Sequence, residues 1–325
     1  MKLQILIPRY NETEGAVKAL LDSINIQQGI DFNNFEVVIW DDGSETELSR
    51  ELLNTYPYHI IYNYYYEHAG LAATRQKLID EATAEYVMYC DVGVMFMSAL
   101  GLYTIFAYIT NGFDVLNVAF IRESKNTKTK QIKYDTYNND DNYVIGKVYR
   151  RRHLVDNKIV WHSDIDAYID LPYHGLALAT AKIKEVCKVP LYLWSWNNLT
   201  SIQAEPLYQL KTYNQYIKAN GYLVRDLLER KLLDLAKLFI GSLIYNTYYL
   251  MNKPIWLDPM NSKYRYETEK CFKQYYLKHK EFFDRLSPEM YRKVVARIKQ
   301  QMISEGVILE KFTFDTWIDH IEDLD

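Results

Sequence analysis

The residues best suited to chemistry in this 325-residue chain are acids that end apolar runs. Glu36-Val37-Val38-Ile39-Trp40-Asp41-Asp42-Gly43-Ser44 carries four consecutive β-preferring apolar side chains into two adjacent carboxylates and a turn. Glu85-Tyr86-Val87-Met88-Tyr89-Cys90-Asp91 repeats the arrangement with a single acid. A third group, His162-Ser163-Asp164-Ile165-Asp166-Ala167-Tyr168, holds two acids two residues apart. Carboxylates at strand ends can accept hydrogen bonds from hydroxyls or a base N–H, and can hold a hard cation or take up a proton. The plainer reading makes them solvated turns and helix caps, with Asp164 capping a helix and Asp166 in its first turn. Arg75 and the run Arg150-Arg151-Arg152 are the matching cations, able to clamp an anion or pair with an acid on the surface.

These side chains need a scaffold that brings strand ends together. Leu3-Gln4-Ile5-Leu6-Ile7-Pro8 reads as a first strand, and Val17, Leu20, Leu21 and Ile24 mark one face of a following helix. The spacing predicts a helix over 45–54 after the Asp-Gly-Ser turn, another opened by Ala69-Gly70-Leu71, and one over 98–110. A strand is expected over 113–120, then a polar hairpin or loop over 122–142. A helical stretch containing Pro172 leads to Pro190, and Val189 to Trp196 reads as the next strand. Alternating strand and helix gives an α/β class, in which ligands bind beyond the carboxyl ends of the strands. Beyond about residue 205 the leucine spacing is helical throughout. The expected division is 1–204 and 205–325.

The order of Pro8-Arg9-Tyr10-Asn11-Glu12, Asp41-Asp42-Gly43-Ser44, Gly70 with Ala73-Thr74-Arg75-Gln76, and the Asp91 strand resembles family 2 glycosyltransferases. Gly146-Lys147-Val148-Tyr149-Arg150-Arg151 resembles a further segment of that family, and Leu191-Tyr192-Leu193-Trp194 with Asn198 resembles the end of its catalytic domain. The resemblance covers about the first 205 residues. It implies a GT-A fold with a mixed, mostly parallel sheet, and inverting transfer of a hexose-type sugar from a UDP-sugar to an acceptor hydroxyl. It places Pro8, Tyr10, Asp41, Asp42, Arg75 and Asp91 around the donor, with Asp41 replaceable at no cost to the fold. Asp166 becomes the expected base with Asp164 as rival, while Arg150, Trp194, Trp196 and Asn198 are candidates for diphosphate or acceptor contacts.

The chain departs from the family pattern at two points. Asp91-Val92-Gly93 stands where the family has Asp-x-Asp, so a Mn²⁺ or Mg²⁺ site at Asp91 is expected to be weak and completed by the diphosphate. An acid at Gly93 is expected to strengthen it unless that glycine needs a positive φ; His162 and His174 are further candidate ligands. Ile165 stands where the family has glutamate. Together these leave open a nucleotide-sugar-binding protein with little or no transfer activity. Neither the Gly-x-Gly-x-x-Gly nor the Gly-x-x-x-x-Gly-Lys phosphate loop is present.

Composition is that of an ordinary globular protein, 49 % apolar and 25 % charged, and the net charge of −4 argues against a broad polyanion-binding surface. Charge is nevertheless uneven: residues 253–299 hold twelve Lys or Arg against six acids, and the residues after them return an acidic balance. Three widely spaced cysteines match neither a disulfide framework nor a zinc site and suit a reducing compartment. No signal peptide is expected ahead of Leu3, and the apolar run 238–249 is too short to span a bilayer. The expected location is the cytoplasm. The acceptor is not legible: a surface polymer, a protein and a modified nucleic-acid base all fit.

Overall fold

The structure, a computed structural model, describes residues 2–125, 131–138, 143–195, 207–287 and 314–324, with 289, 290, 292, 296 and 300 between the last two stretches. Two compact units divide at residues 201 and 202.

The first unit is built on nine described strands: β1 (Leu3–Arg9), β2 (Phe35–Asp41), β3 (His59–Tyr64), β4 (Tyr86–Tyr89), β5 (Val94–Phe96), β6 (Val115–Lys125), β7 (Ile132–Tyr137), β8 (Lys147–Arg150) and β9 (Lys184–Trp194). Their spatial order is β3-β2-β1-β4-β8-β6-β9-β5, with β7 on β6. β3, β2, β1 and β4 run parallel, as do β6 and β9; β8 lies antiparallel to both β4 and β6. Every residue of β1 and β2 is buried, which accounts for the apolar runs Ile5-Leu6-Ile7-Pro8 and Val37-Val38-Ile39-Trp40 within them. Helix α1 (Glu14–Asn25) lays Val17, Leu20, Leu21 and Ile24 on that core and is capped by Thr13, whose hydroxyl accepts from Ala16 N at 3.2 Å.

Several boundaries differ from expectation for local reasons. The helix expected over 45–54 is only α2 (Arg50–Leu53). Side chains answer the preceding backbone donors instead: Asp41 accepts from Ser44 N, Asn11 from Glu45 N, and Glu14 from Ser49 N. Helices α3 (Leu71–Glu81) and α4 (Gly101–Asn111) follow, and the 122–142 region is a β6–β7 hairpin whose tip, 126–130, lies outside the described residues. After α5 (Arg151–Asp156), helix α6 spans only Asp170–Thr180, with Pro172 tolerated in its first turn. β9 begins five residues before the expected start at Val189. Its register against β6 breaks between the Val118–Cys187 and Phe120–Tyr192 pairs, so Pro190, which has no N–H to give, falls in the irregularity.

The second unit is helical: α7 (Tyr208–Glu229), α8 (Leu233–Met251), α9 (Pro254–Leu257), α10 (Ser262–Asp284) and a last helix over Phe314–Asp323. Its core joins Tyr213, Ile217, Val224, Ile240, Leu243, Phe272, Tyr276 and Trp317. No described helix is long and apolar enough to cross a membrane.

Gly146 enters β8 with φ +73, and its carbonyl accepts from Val118 N at 2.7 Å. A Cβ there would stand 2.9 Å from the Val118 carbonyl oxygen, a backbone atom that cannot step aside. Gly146→Ala is therefore expected to cost roughly 1–3 kcal/mol in chemical denaturation.

Candidate functional site

The parallel strands place Arg9, Asp41 and the residues after β4 at one edge of the sheet. There the two acids of β2 turn inward. Asp41 is fully buried and ion-paired with Arg9; its oxygens also accept from Tyr62 Oη at 2.7 Å and Ser44 N at 2.9 Å. Arg9 donates further to the Glu12 carbonyl at 2.9 and 3.2 Å. Asp42 accepts from Ala69 N at 3.0 Å and Gly70 N at 2.8 Å, with His68 Nδ1 2.9 Å away. These bonds tie the loops after β1, β2 and β3 together. Tyr10 lies face to face on His68 with ring centroids 3.7 Å apart, and is 43 % exposed, so a flat aromatic surface stands at the edge. Pro8 is buried within β1.

A second cluster centres on Arg75, fully buried on α3. Its Nη2 lies 2.8 Å from both Asp91 oxygens and its Nη1 is 2.6 Å from Asp170 Oδ1. Asp170 Oδ2 accepts from Val144 N at 3.0 Å. The guanidinium lies over Trp161, 4.8 Å from the ring centre, and Trp161 Nε1 donates to Tyr89 Oη at 3.0 Å. Burial works against the Arg75 charge, but Asp91 and Asp170 outweigh it and hold the proton more firmly than usual. Burial also pushes the Asp170 carboxyl above its ordinary range, against the pull of Arg75. Glu12 is raised too, chiefly by burial, with the charge of Asp91 adding to it. Asp91 stays 29 % exposed on its side chain, the most open member of the cluster. A cleft of about 510 Å³ opens beside Arg9 and Glu12, walled by 11–14 and 45–47.

Not every expected residue gathers here. Asp164 and Asp166 occupy an exposed turn; α6 begins only at Asp170, so neither caps it nor lies in its first turn, and Tyr168 has φ +59. Arg150 is a correction. Because β8 runs against β4, Arg150 sits opposite Tyr86, at the end of β4 away from Asp91, and pairs with Glu85 at 3.3 Å. Trp194 pairs with Val94 in the β5–β9 ladder and so stands near the segment after Asp91, half-buried against Tyr143 and Arg122. Trp196 and Asn198 lie outside the described residues. His174 is buried behind the cluster, bonded to Tyr149 Oη at 2.9 Å and held neutral by burial. Asp170, Glu12, Arg9 and His68 are the members the sequence reading passed over. Asp170 had one available signal: an acid directly before Leu171-Pro172 opens a helix.

The cluster bears on a divalent cation. Asp91 and Glu12 are oxygen donors of the right hardness, and the charge of Asp91 is felt at Glu12. Arg75 already claims both Asp91 oxygens, so the protein offers a partial set, and among the described residues no three acids, histidines or cysteines are placed to hold a metal ion together. Gly93 adopts φ +104, a conformation an aspartate would hold only under strain, so the condition for improving the site by Gly93→Asp fails.

The family model described as Glycosyl transferase family 2 matches residues 4–161. Among solved structures, that of S. aureus TarS 1–349 superposes with a TM-score of 0.66 at 16 % identity, covering 96 % of this chain and 94 % of that one. TarS 1–349 in complex with UDP-GlcNAc gives 0.66 at 16 %, covering 95 % and 93 %, and its complex with UDP gives 0.61 at 17 %. At such identity the likeness is one of fold. No curated protein matches the sequence.

The burial of Asp41 corrects the expectation that it can be removed without harm to the fold. Asp41→Ala strands Arg9 and is expected to cost roughly 3–5 kcal/mol, read as a lower denaturation midpoint with or without ligand. By contrast Tyr10→Ala, at an exposed ring, is expected to leave the denaturation midpoint nearly unchanged.

Proposed function

We propose, from the match of residues 4–161 to the model described as Glycosyl transferase family 2, that the chain transfers a hexose-type sugar from a UDP-sugar to an acceptor hydroxyl with inversion. The fold is of GT-A type, and likeness to a UDP-GlcNAc complex supports a uridine nucleotide as donor. The observation that carries the reading is the Arg75 cluster, where charged groups of both signs meet at the strand ends. Tyr10 and His68 offer a stacking surface for the base; the Asp41 and Asp42 networks hold the loops that present it. The acceptor in this reading is a hydroxyl-bearing surface polymer, protein or modified nucleic-acid base. A cytoplasmic location belongs to this reading and suits the unpaired thiols Cys90, Cys187 and Cys271.

In the transfer, an acceptor oxygen attacks the anomeric carbon as the bond to the diphosphate breaks, and a carboxylate takes the hydroxyl proton. Asp170 is the best-supported base. It is held at both oxygens in one orientation, and its raised proton affinity brings it closer to that of a working base at neutral pH. Asp166 and Asp164, on the turn just before it, are the rivals. Arg75 is positioned to steady charge beside Asp91. Asp91, with Glu12, would hold a Mn²⁺ or Mg²⁺ ion, which would offset charge on the departing diphosphate.

A non-transferring binding protein is the second reading, favoured by Gly93 in place of an acid and by Arg75 occupying Asp91. Release of UDP from a UDP-sugar separates the two.

Asp170→Asn is expected to keep UDP binding within a few-fold and lower transfer by about 10²–10⁴-fold. Near-normal transfer by that variant, with a dead Asp166→Asn, would move the base to the turn. For the parent, kcat should fall as pH drops through the Asp170 pKa, because protonation removes the base. Its raised pKa puts that acid limb above the ordinary aspartate range. For the cation, Mn²⁺ binding followed by paramagnetic resonance should be weak alone, tighten with UDP, and vanish in Asp91→Asn. Equal binding in parent and variant would exclude Asp91 as a ligand.

A further inference from the structure

The helical unit contains a small cavity of its own, about 210 Å³, lined by Met251, Asn252, Arg265, Trp317 and His320. Met251 ends α8 and Arg265 lies in the first turns of α10. Trp317 and His320 are three apart on the last helix, and so share a face. All five belong to the second unit, outside the span matched by the family.

Of the four polar side chains around this cavity, Arg265, Trp317 and His320 carry guanidinium or ring N–H donors. Trp317 is 3 % exposed, yet its indole N–H has no hydrogen-bond partner, an arrangement that leaves a buried donor unpaid. Arg265 spends its Nε on Glu269 Oε1 at 2.8 Å; among the described residues neither of its Nη groups has a partner. Glu269 is buried behind them, and its other oxygen lies 3.7 Å from His320 Nε2. That carboxylate thus holds the Arg265 guanidinium by its Nε and lies beside the His320 imidazole. Asn252 gives its Nδ2 to the Tyr248 carbonyl at 2.7 Å.

A cavity whose side chains donate from a guanidinium, an indole and an imidazole calls for a ligand made of acceptors. We infer that it binds a phosphate group, free or as a small ester. A tetrahedral oxyanion presents oxygens in several directions, which suits donors carried on three side chains better than a planar carboxylate does. The volume is below that of a drug-sized pocket and suits a small anion, with Met251 and the Trp317 ring as an apolar wall for an ester's carbon atoms. This inference stands independently of the transferase reading.

The test follows the Trp317 indole N–H by NMR in the full chain, the resonance being assigned by its loss in Trp317→Phe. Inorganic phosphate, added at constant ionic strength, should shift that resonance saturably, and glycerol phosphate should do the same. Chloride and acetate at matched ionic strength should not. Arg265→Lys keeps the charge and its attraction to Glu269 but loses the planar fork, and is expected to weaken phosphate binding roughly tenfold. A shift only with the free anion would make the site one for inorganic phosphate; a shift with the ester as well would admit phosphorylated metabolites or polymers. No saturable shift with phosphate, an equal shift with chloride, or undiminished binding in Arg265→Lys would overturn the inference.

Discussion

Arg75 carries its charge fully out of reach of solvent, and two carboxylates are the reason it can stay there. Each partner comes from a different part of the chain: Asp91 follows β4, Asp170 opens α6, and Asp170 in turn accepts from the backbone at Val144, just before β8. One guanidinium thereby sets the relative positions of α3, the β4 edge, the entry to β8 and the start of α6. Such a triad is a weak source of net stability, because taking three charges from water is costly, but losing any one member leaves the others uncompensated. Its stronger effect is geometric: the most exposed carboxylate at the site is presented in one orientation.

A second ionic lock, Arg9 with Asp41, does for the β1 and β2 edge what Arg75 does for β4. Asp42 extends it to Ala69 and Gly70, immediately ahead of the helix that carries Arg75. The two locks are therefore linked through the loop that opens α3. Acids that look from the sequence like ligand contacts are here the groups that fix the ligand-facing loops.

Strand and helix alternation, the buried β1 and β2 runs, and the gathering of Asp41, Asp42, Arg75 and Asp91 at one edge were legible because each depends on local pattern and on parallel strand direction. Arg150 was not, because its place depends on β8 running backwards, and a four-residue strand carries no mark of its direction. The short α2 escaped for a different reason: side chains of Asn11 and Glu14, distant in sequence, take the donors a helix would have used. Asp170 drew no attention beside Asp164 and Asp166, whose spacing to Tyr168 is the closer to the family pattern. What tells Asp170 apart is a partner 95 residues earlier, which no local window contains.

The reversal of β8 also has an evolutionary side. In the parallel half, every loop at the site edge leaves the end of a strand, and those loops are bound to one another by Asp41 and Asp42. Beyond β4 the chain reaches the same edge by the start of a strand instead, so residues 143–146 and the 157–170 segment belong to a different set of connections. Substitutions can accumulate in one set without unpicking the other, provided Asp170 continues to meet Arg75. Such a division lets the two sets of loops change independently, and sequence drift should be steeper on the side of the reversed strand.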